Sequence, residues 1–276
     1  LIAGKVMMDR HAPEDLCDTA ETAYTESKAL IEKWHAKGRN IYAITPRFAP
    51  TSTPEQLEKA GQLKAEYPDV YVHTHLSENK NEIAWVKDLF PEQKGYLDVY
   101  HHYGLTGSQS VFAHCVHLED AEWDCMHDTD SAIAFCPTSN LFLGSGLFPL
   151  KKTWEKNVKV GLGTDIGAGT SFSQLQTLNE AYKVQQLQGD KLSAFESLYH
   201  ATLGGAKALN LDDKLGNFNL GKEADFVVLN LNATALQTLR QQRAKNIEDA
   251  LFALFTMGDD RNVQATYVYG QKAFEQ

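Results

Sequence analysis

The sequence predicts an α/β fold, a parallel sheet covered by helices, and three observations carry that reading. Six short apolar runs, at residues 1–7, 41–44, 70–75, 110–114, 132–135 and 158–163, are each followed by a stretch with helical spacing. A parallel return needs a crossover, and a helix supplies it. No GxGxxG or GxxxxGK[ST] follows any of these runs, which argues against an open nucleotide-binding sheet. Polar residues stand where the runs end, as on the catalytic rim of a closed (β/α)8 barrel. Such a barrel needs eight units, so six predict a barrel truncated to six strands.

In chain order, residues 18–37 place Ala20, Ala23, Tyr24, Leu30, Ile31 and Trp34 at largely helical spacing, and Gly38 stops the pattern. The strand at 41–44 runs out into Thr45-Pro46-Arg47-Phe48. Thr53-Pro54 opens a helix to about residue 66, with a capping threonine and a proline at the first helical position. Helices are expected at 82–89 and 96–103 after the third strand, and at 119–127 after the fourth. The fifth strand leads into a loop at 136–140 and a helix at 149–156. Two long helices, 173–188 and 192–209, follow the sixth strand. From residue 215 the chain turns polar and turn-rich, with strand patterns at 226–229 and 263–269 and a helix at 247–255. Residues 1–212 are therefore expected to form a partial barrel catalytic domain. Residues 213–276 are expected to form the C-terminal part of a small β-domain.

Composition narrows the function classes. The chain has 276 residues, 43% hydrophobic and 22% charged, as in ordinary globular proteins. A formal net charge of −10 without Lys/Arg clusters argues against nucleic acid or an anionic membrane as partner, and a small-molecule substrate is expected. No run approaches a membrane span. Cys17, Cys115, Cys125 and Cys136 lack CxxC spacing, so neither a disulfide framework nor a zinc knuckle is indicated and the expected compartment is the cytoplasm. Leu1 lies inside a strand pattern with no leader-like segment ahead of it, which leads to the expectation that the chain begins inside a longer protein.

The chemistry concentrates at Val72-His73-Thr74-His75-Leu76-Ser77-Glu78-Asn79. Strand side chains alternate between faces, so His73 and His75 project together, and Glu78 lies in the loop beyond. That layout suits a metal ligand beside a proton shuttle, or else a solvated pair of histidines at a strand end. The other strand ends carry Arg47, His114, the 137–140 loop and Asp165, so five polar groups converge on one rim. His11, His35, His127 and His200 have no convergent partners in the sequence and read as surface or helix residues. His101 and His102 read as a helix end, and His117 as a loop residue. Asn140 is either a substrate contact or a turn former.

These stretches resemble the guanine deaminases of the amidohydrolase superfamily. The resemblance runs through Gly4-Lys5-Val6, Thr45-Pro46-Arg47-Phe48, His75-Leu76-Ser77-Glu78-Asn79, Ala113-His114, Gly161-Leu162-Gly163-Thr164-Asp165, Gly221-Lys222-Glu223-Ala224-Asp225 and Met257-Gly258-Asp259-Asp260-Arg261-Asn262. It implies a metal-dependent hydrolase of the TIM-type barrel class that deaminates guanine to xanthine and ammonia. It further implies one Zn²⁺ per subunit, held by His75 and Asp165 with His114 as a further candidate. Glu78, His114 and Asp165 would be catalytic, with Glu78 shuttling protons. Arg47 and Phe48 would contact the purine together with His75, Glu78 and Asp165. The family's first barrel strand supplies a His-x-His pair, which has no counterpart before His75 here, so two or three protein ligands are expected. A homodimer is also implied, and exposed strand edges would favour association between copies. The alternatives are a related hydrolase acting on a triazine or adenosine-type heterocycle, and a metal-poor fragment without activity.

Overall fold

The computed structural model describes all residues from Leu1 to Gln276. Strands β1 (Ile2–Ala3), β2 (Val6–Met7), β3 (Ile41–Pro46), β4 (Tyr71–Leu76), β5 (Ser110–His114), β6 (Ala132–Phe135) and β7 (Lys159–Leu162) form one sheet in the order β1-β3-β4-β5-β6-β7, with β2 also on β3. β1 and β2 both pair with β3 in parallel and so share one edge position, which makes the sheet a parallel half-barrel of six positions. The six-strand expectation holds, but the first strand is broken. At Gly4 a Cβ would lie 1.7 Å from the carbonyl oxygen of Ala43, and the backbone N–H of Lys5 donates to the Tyr42 hydroxyl (3.1 Å) instead of the ladder. No helix is long and apolar enough to cross a membrane.

The chain divides into two compact units, Leu1–Ile133 with Lys156–Val158, and Ala134–Glu155 with Lys159–Gln276. The first holds α1 (Ala20–Trp34), α2 (Pro54–Glu66), α3 (Lys80–Leu89), α4 (Tyr96–His102) and α5 (Asp120–Asp128). Alternation puts Ile44, Val72, Thr74, Leu76 and Phe112 on one strand face, all buried. Burying a side chain of this size contributes about 1.5–3 kcal/mol. The helices begin where capping residues stand. Thr19 and Thr22 box α1, Thr53 caps α2 with Pro54 at its first position, and Asn79 with Glu82 boxes α3. Each such cap stabilises its helix by about 1 kcal/mol.

The second unit holds α6 (Pro137–Phe142), α7 (Leu150–Glu155), α8 (Gln174–Leu187), α9 (Ala194–Tyr199), α10 (Gly205–Ala208), β8 (Phe226–Leu229), α11 (Ala235–Gln241), α12 (Ile247–Met257), β9 (Val263–Val268) and β10 (Gln271–Glu275). Its core joins Leu175, Leu178, Ala194, Leu254 and Phe255. The loop expected at 136–140 is instead α6, which starts on Pro137, a residue suited to the first helical position. The helix expected over 192–209 is interrupted by a π turn at His200–Gly204. α11 carried no apolar signal because its one buried side chain is Gln237, while Leu236 and Leu239 are exposed.

β8, β9 and β10 form an antiparallel sheet whose last hairpin turns on Tyr269 (φ 53°) and Gly270 (φ 74°). Two successive left-handed residues match the twist of the flanking strands. Asn262 is fully buried and saturates its amide. It donates to the Asn230 carbonyl (2.6 Å) and Gln237 Oε1 (3.1 Å), and it accepts from Asp259 N (3.0 Å) and Gln237 Nε2 (3.1 Å). The Asp259-Asp260-Arg261-Asn262 stretch thus fastens β9 to α11.

His200, expected as a surface or helix residue, opens the π turn but is only 2% exposed and stacks on Trp154 at 5.9 Å. Burial pushes its pKa below the ordinary 6.5, against smaller opposing effects from the Val160 backbone and Glu196. The unfolded chain therefore binds a proton that the folded chain refuses. The stability this neutral ring allows is complete above pH 6.5 and is lost as pH falls through that value toward the lowered folded pKa. The thermal midpoint is expected to drop between about pH 7 and pH 5, and His200→Phe to flatten that drop in unfolding scans at the two pH values.

Candidate metal centre and active site

β4 and β5 set the first half of the site through a parallel register that pairs His75 with Ala113 and Leu76 with His114. His75 Nδ1 lies 2.6 Å from the carbonyl oxygen of Arg47. A carbonyl only accepts, so Nδ1 carries the proton and the neutral ring keeps its lone pair on Nε2, the arrangement in which a histidine binds a metal.

By alternation His114 would share the buried face of Leu76. Instead His114 (φ 72°) and Cys115 (φ 51°) adopt the left-handed region, and the His114 ring stacks on His75 with centroids 5.2 Å apart and planes at 22°. Ser77 (φ 47°), after β4, and Asp165 (φ 48°), beyond β7, do the same. Such backbone costs of order 1–3 kcal/mol at a non-glycine residue, and it clusters here at the ends of three strands. His75, His114 and Asp165 each offer a ligand atom, and these atoms lie within 4.8 Å of one another. Two imidazoles and a carboxylate at that spacing fit a divalent metal ion with nitrogen and oxygen preferences.

Glu78 Oε2 lies 3.7 Å from Nε2 of His114, which is itself 1% exposed. Glu78 is placed through its backbone, whose N–H donates to Glu82 Oε2 (3.0 Å). The same oxygen accepts from Asn79 N (3.3 Å), and Glu82 Oε1 accepts from the Tyr96 hydroxyl (2.7 Å). Burial raises the Glu82 pKa, while the Tyr96 and backbone hydrogen bonds pull it back. Arg47 follows β3, and its guanidinium lies 4.8 Å over the Phe48 ring. Phe48 stands edge-on to His75 (6.0 Å) and to Trp85 (6.4 Å).

His75, Glu78, His114, Arg47 and Phe48 thus come together around the end of β4, and Asp165 joins the two histidines in the metal group. His73, on the same strand face as His75, is exposed and outside that group; His117, half-buried, is also outside it, and its backbone N–H donates to the Ser77 carbonyl (3.1 Å). Contrary to expectation, His35 does have partners: it accepts from Tyr42 N (3.1 Å) and meets Asp69 (3.1 Å). His101 pairs with Thr106 at the end of α4, as a helix-end residue should. Asn140 is buried, and its carbonyl holds Ser145 N (2.8 Å). Sequence reasoning missed the Arg47 carbonyl, Glu82, Tyr100 and Trp85. For Glu82 the signal was present, as Asn79-Lys80-Asn81-Glu82 is a capping-box pattern.

Residues 1–273 match the model of the amidohydrolase family. The chain belongs to the amidohydrolase family. It is 66% identical over 275 residues to the guanine deaminase of Escherichia coli (strain K12), a match covering 100% of this chain and 63% of that protein. A solved structure of the E. coli guanine deaminase superposes with a TM-score of 0.99 at 66% identity, over 100% of this chain and 64% of that one. The guanine deaminase of C. acetobutylicum, solved with guanine in its active site, superposes with a TM-score of 0.88 at 32% identity, over 98% of this chain and 64% of that one. The chain therefore spans somewhat less than two thirds of these relatives. The metal group of this amidohydrolase can be tested directly. Titration of Zn²⁺ or Co²⁺ into chelator-treated protein is expected to show binding that His75→Ala, His114→Ala and Asp165→Asn each weaken by at least ~10-fold.

Proposed function

We propose that this chain carries the guanine-deaminating site of a zinc amidohydrolase. The observation that carries the reading is the grouping of His75, His114 and Asp165 beside Glu78, in a chain 66% identical to a guanine deaminase. Zn²⁺ held by His75 and Asp165, with His114 beside them, would lower the pKa of a water molecule toward ~7 and so supply a nucleophile at neutral pH. Converting guanine and water to xanthine and ammonia moves two protons from the water, one to a ring nitrogen and one to the departing amine. Glu78 is the residue placed to relay them. Its carboxylate stands beside His114, and its backbone is fixed by Glu82.

Arg47 binds the purine's carbonyl edge by charge-assisted hydrogen bonds, with its plane restrained by stacking on Phe48. His75 and Asp165 bound the same space from the metal side. We further propose a cytoplasmic homodimer acting on this small molecule, consistent with the net charge of −10 and four cysteines that form no disulfide. A partial barrel at 1–212 and a small β-domain portion at 213–276 remain our reading of the domain plan.

Two substitutions in the enzyme carrying this chain separate these roles. Arg47→Ala is expected to lower kcat/KM for guanine by about 10–100-fold, the value of one or two hydrogen bonds to a charged group, with metal content unchanged. Guanine kinetics that do not move would remove Arg47 from the site. Glu78→Gln is expected to keep zinc content and guanine affinity while lowering kcat by ~10²–10⁴-fold, since the amide has the shape but cannot exchange the proton. Near-normal turnover with full zinc would refute the relay.

A further inference from the structure

α4 sends no side chain into the site, yet its hydrogen bonds end on backbone that does. Tyr100 is fully buried. Its hydroxyl donates to the His75 carbonyl (2.9 Å) and accepts from Ala49 N (2.9 Å), directly after Phe48. The same hydroxyl lies 3.1 Å from Thr74 Oγ1, which reaches the Arg47 carbonyl at 3.2 Å. One turn earlier Tyr96, stacked on Tyr100 at 5.7 Å, donates to Glu82, whose other oxygen takes the N–H groups of Glu78 and Asn79.

We propose that Tyr96 and Tyr100, with Glu82, form a buried bracket that fixes the relative positions of His75, Glu78 and the Arg47-Phe48 segment. All three are positioning residues. The inference rests on the roles proposed above for His75, Glu78 and Arg47. Phenylalanine would pack these two core positions with nearly the same volume and no polar atom to satisfy. Burying two hydroxyls and a carboxylate is costly unless each is hydrogen-bonded, and here their bonds terminate on three segments that each carry a site residue. Loss of the Tyr100 hydroxyl loosens the metal ligand and the purine-binding segment together. Loss of the Tyr96 hydroxyl acts on Glu78 alone, through Glu82.

The two arms therefore have different signatures in the enzyme carrying this chain. Tyr100→Phe is expected to weaken Zn²⁺ binding in chelator competition and to raise KM for guanine, each by about 10–100-fold. Tyr96→Phe is expected to hold Zn²⁺ affinity and KM within about twofold, to lower kcat about 10-fold, and to shift the kcat pH profile. Glu82→Gln should follow Tyr96→Phe, and it keeps that arm testable should Tyr96→Phe fail to fold. Wild-type kcat, KM and pH profile per zinc-loaded molecule in Tyr96→Phe and Glu82→Gln, with only a lowered melting temperature, would overturn the bracket. Glu78→Gln assayed in parallel keeps the two readings apart. Full turnover there removes the relay from Glu78, while the zinc-affinity loss in Tyr100→Phe still tests the bracket's hold on His75.

Discussion

The carbonyl oxygen of Arg47 is where the site is tied together. It accepts from His75 Nδ1 at 2.6 Å and stands 3.2 Å from Thr74 Oγ1, so the main chain of Arg47 sets the tautomer of His75. This requires β3 and β4 to be parallel neighbours in their observed register, because only then does the end of one strand meet the end of the next. A slip of one residue would turn His75 to the opposite face of the sheet. The segment after β3 and the orientation of the His75 ring are in this way coupled through a main-chain atom.

Around this point the backbone departs from the regular strand in one consistent manner. Ser77, His114 and Asp165 each take up left-handed conformations at or beyond the end of a strand. Regular alternation would have sent His114 into the core beside Leu76. The departure returns its ring to the His75 side, where the two imidazoles stack. The strain is local, and it is borne by segments anchored on both sides: Cys115 N donates to the Leu76 carbonyl (2.9 Å) and His117 N to the Ser77 carbonyl (3.1 Å). Concentrating strain where geometry matters for chemistry is a common arrangement in enzymes.

The capping boxes extend this logic from stability to placement. Glu82 closes the first turn of α3 as any third-position glutamate would, but the N–H groups it satisfies belong to Glu78 and Asn79. Helix initiation and the placement of the Glu78 backbone therefore share one carboxylate. In the other unit Asn262 plays a comparable part without any chemistry, joining α11, β9 and the segment after β8 through four hydrogen bonds.

The sequence alone determined the alternation of strands and helices, because hydrophobic period and capping residues act within a few positions of one another. Helix starts at Thr53 and Glu119, the six sheet positions, and the strand-end residues Arg47, His75, Glu78, His114 and Asp165 were legible in this way, whereas α3 is capped at Asn79, three residues before the expected start. Tertiary structure decided what depends on contacts between distant segments. The break at Gly4 is set by the Ala43 backbone 39 residues away, the burial of His200 by Trp154, and the hydrogen bonds of Tyr100 by His75 on β4 and Ala49 beyond β3. That His75, and not His73 on the same face of β4, stands beside His114 and Asp165 was likewise decided by where the neighbouring strands end. No local pattern in a strand records which of its faces will meet the next strand's polar end.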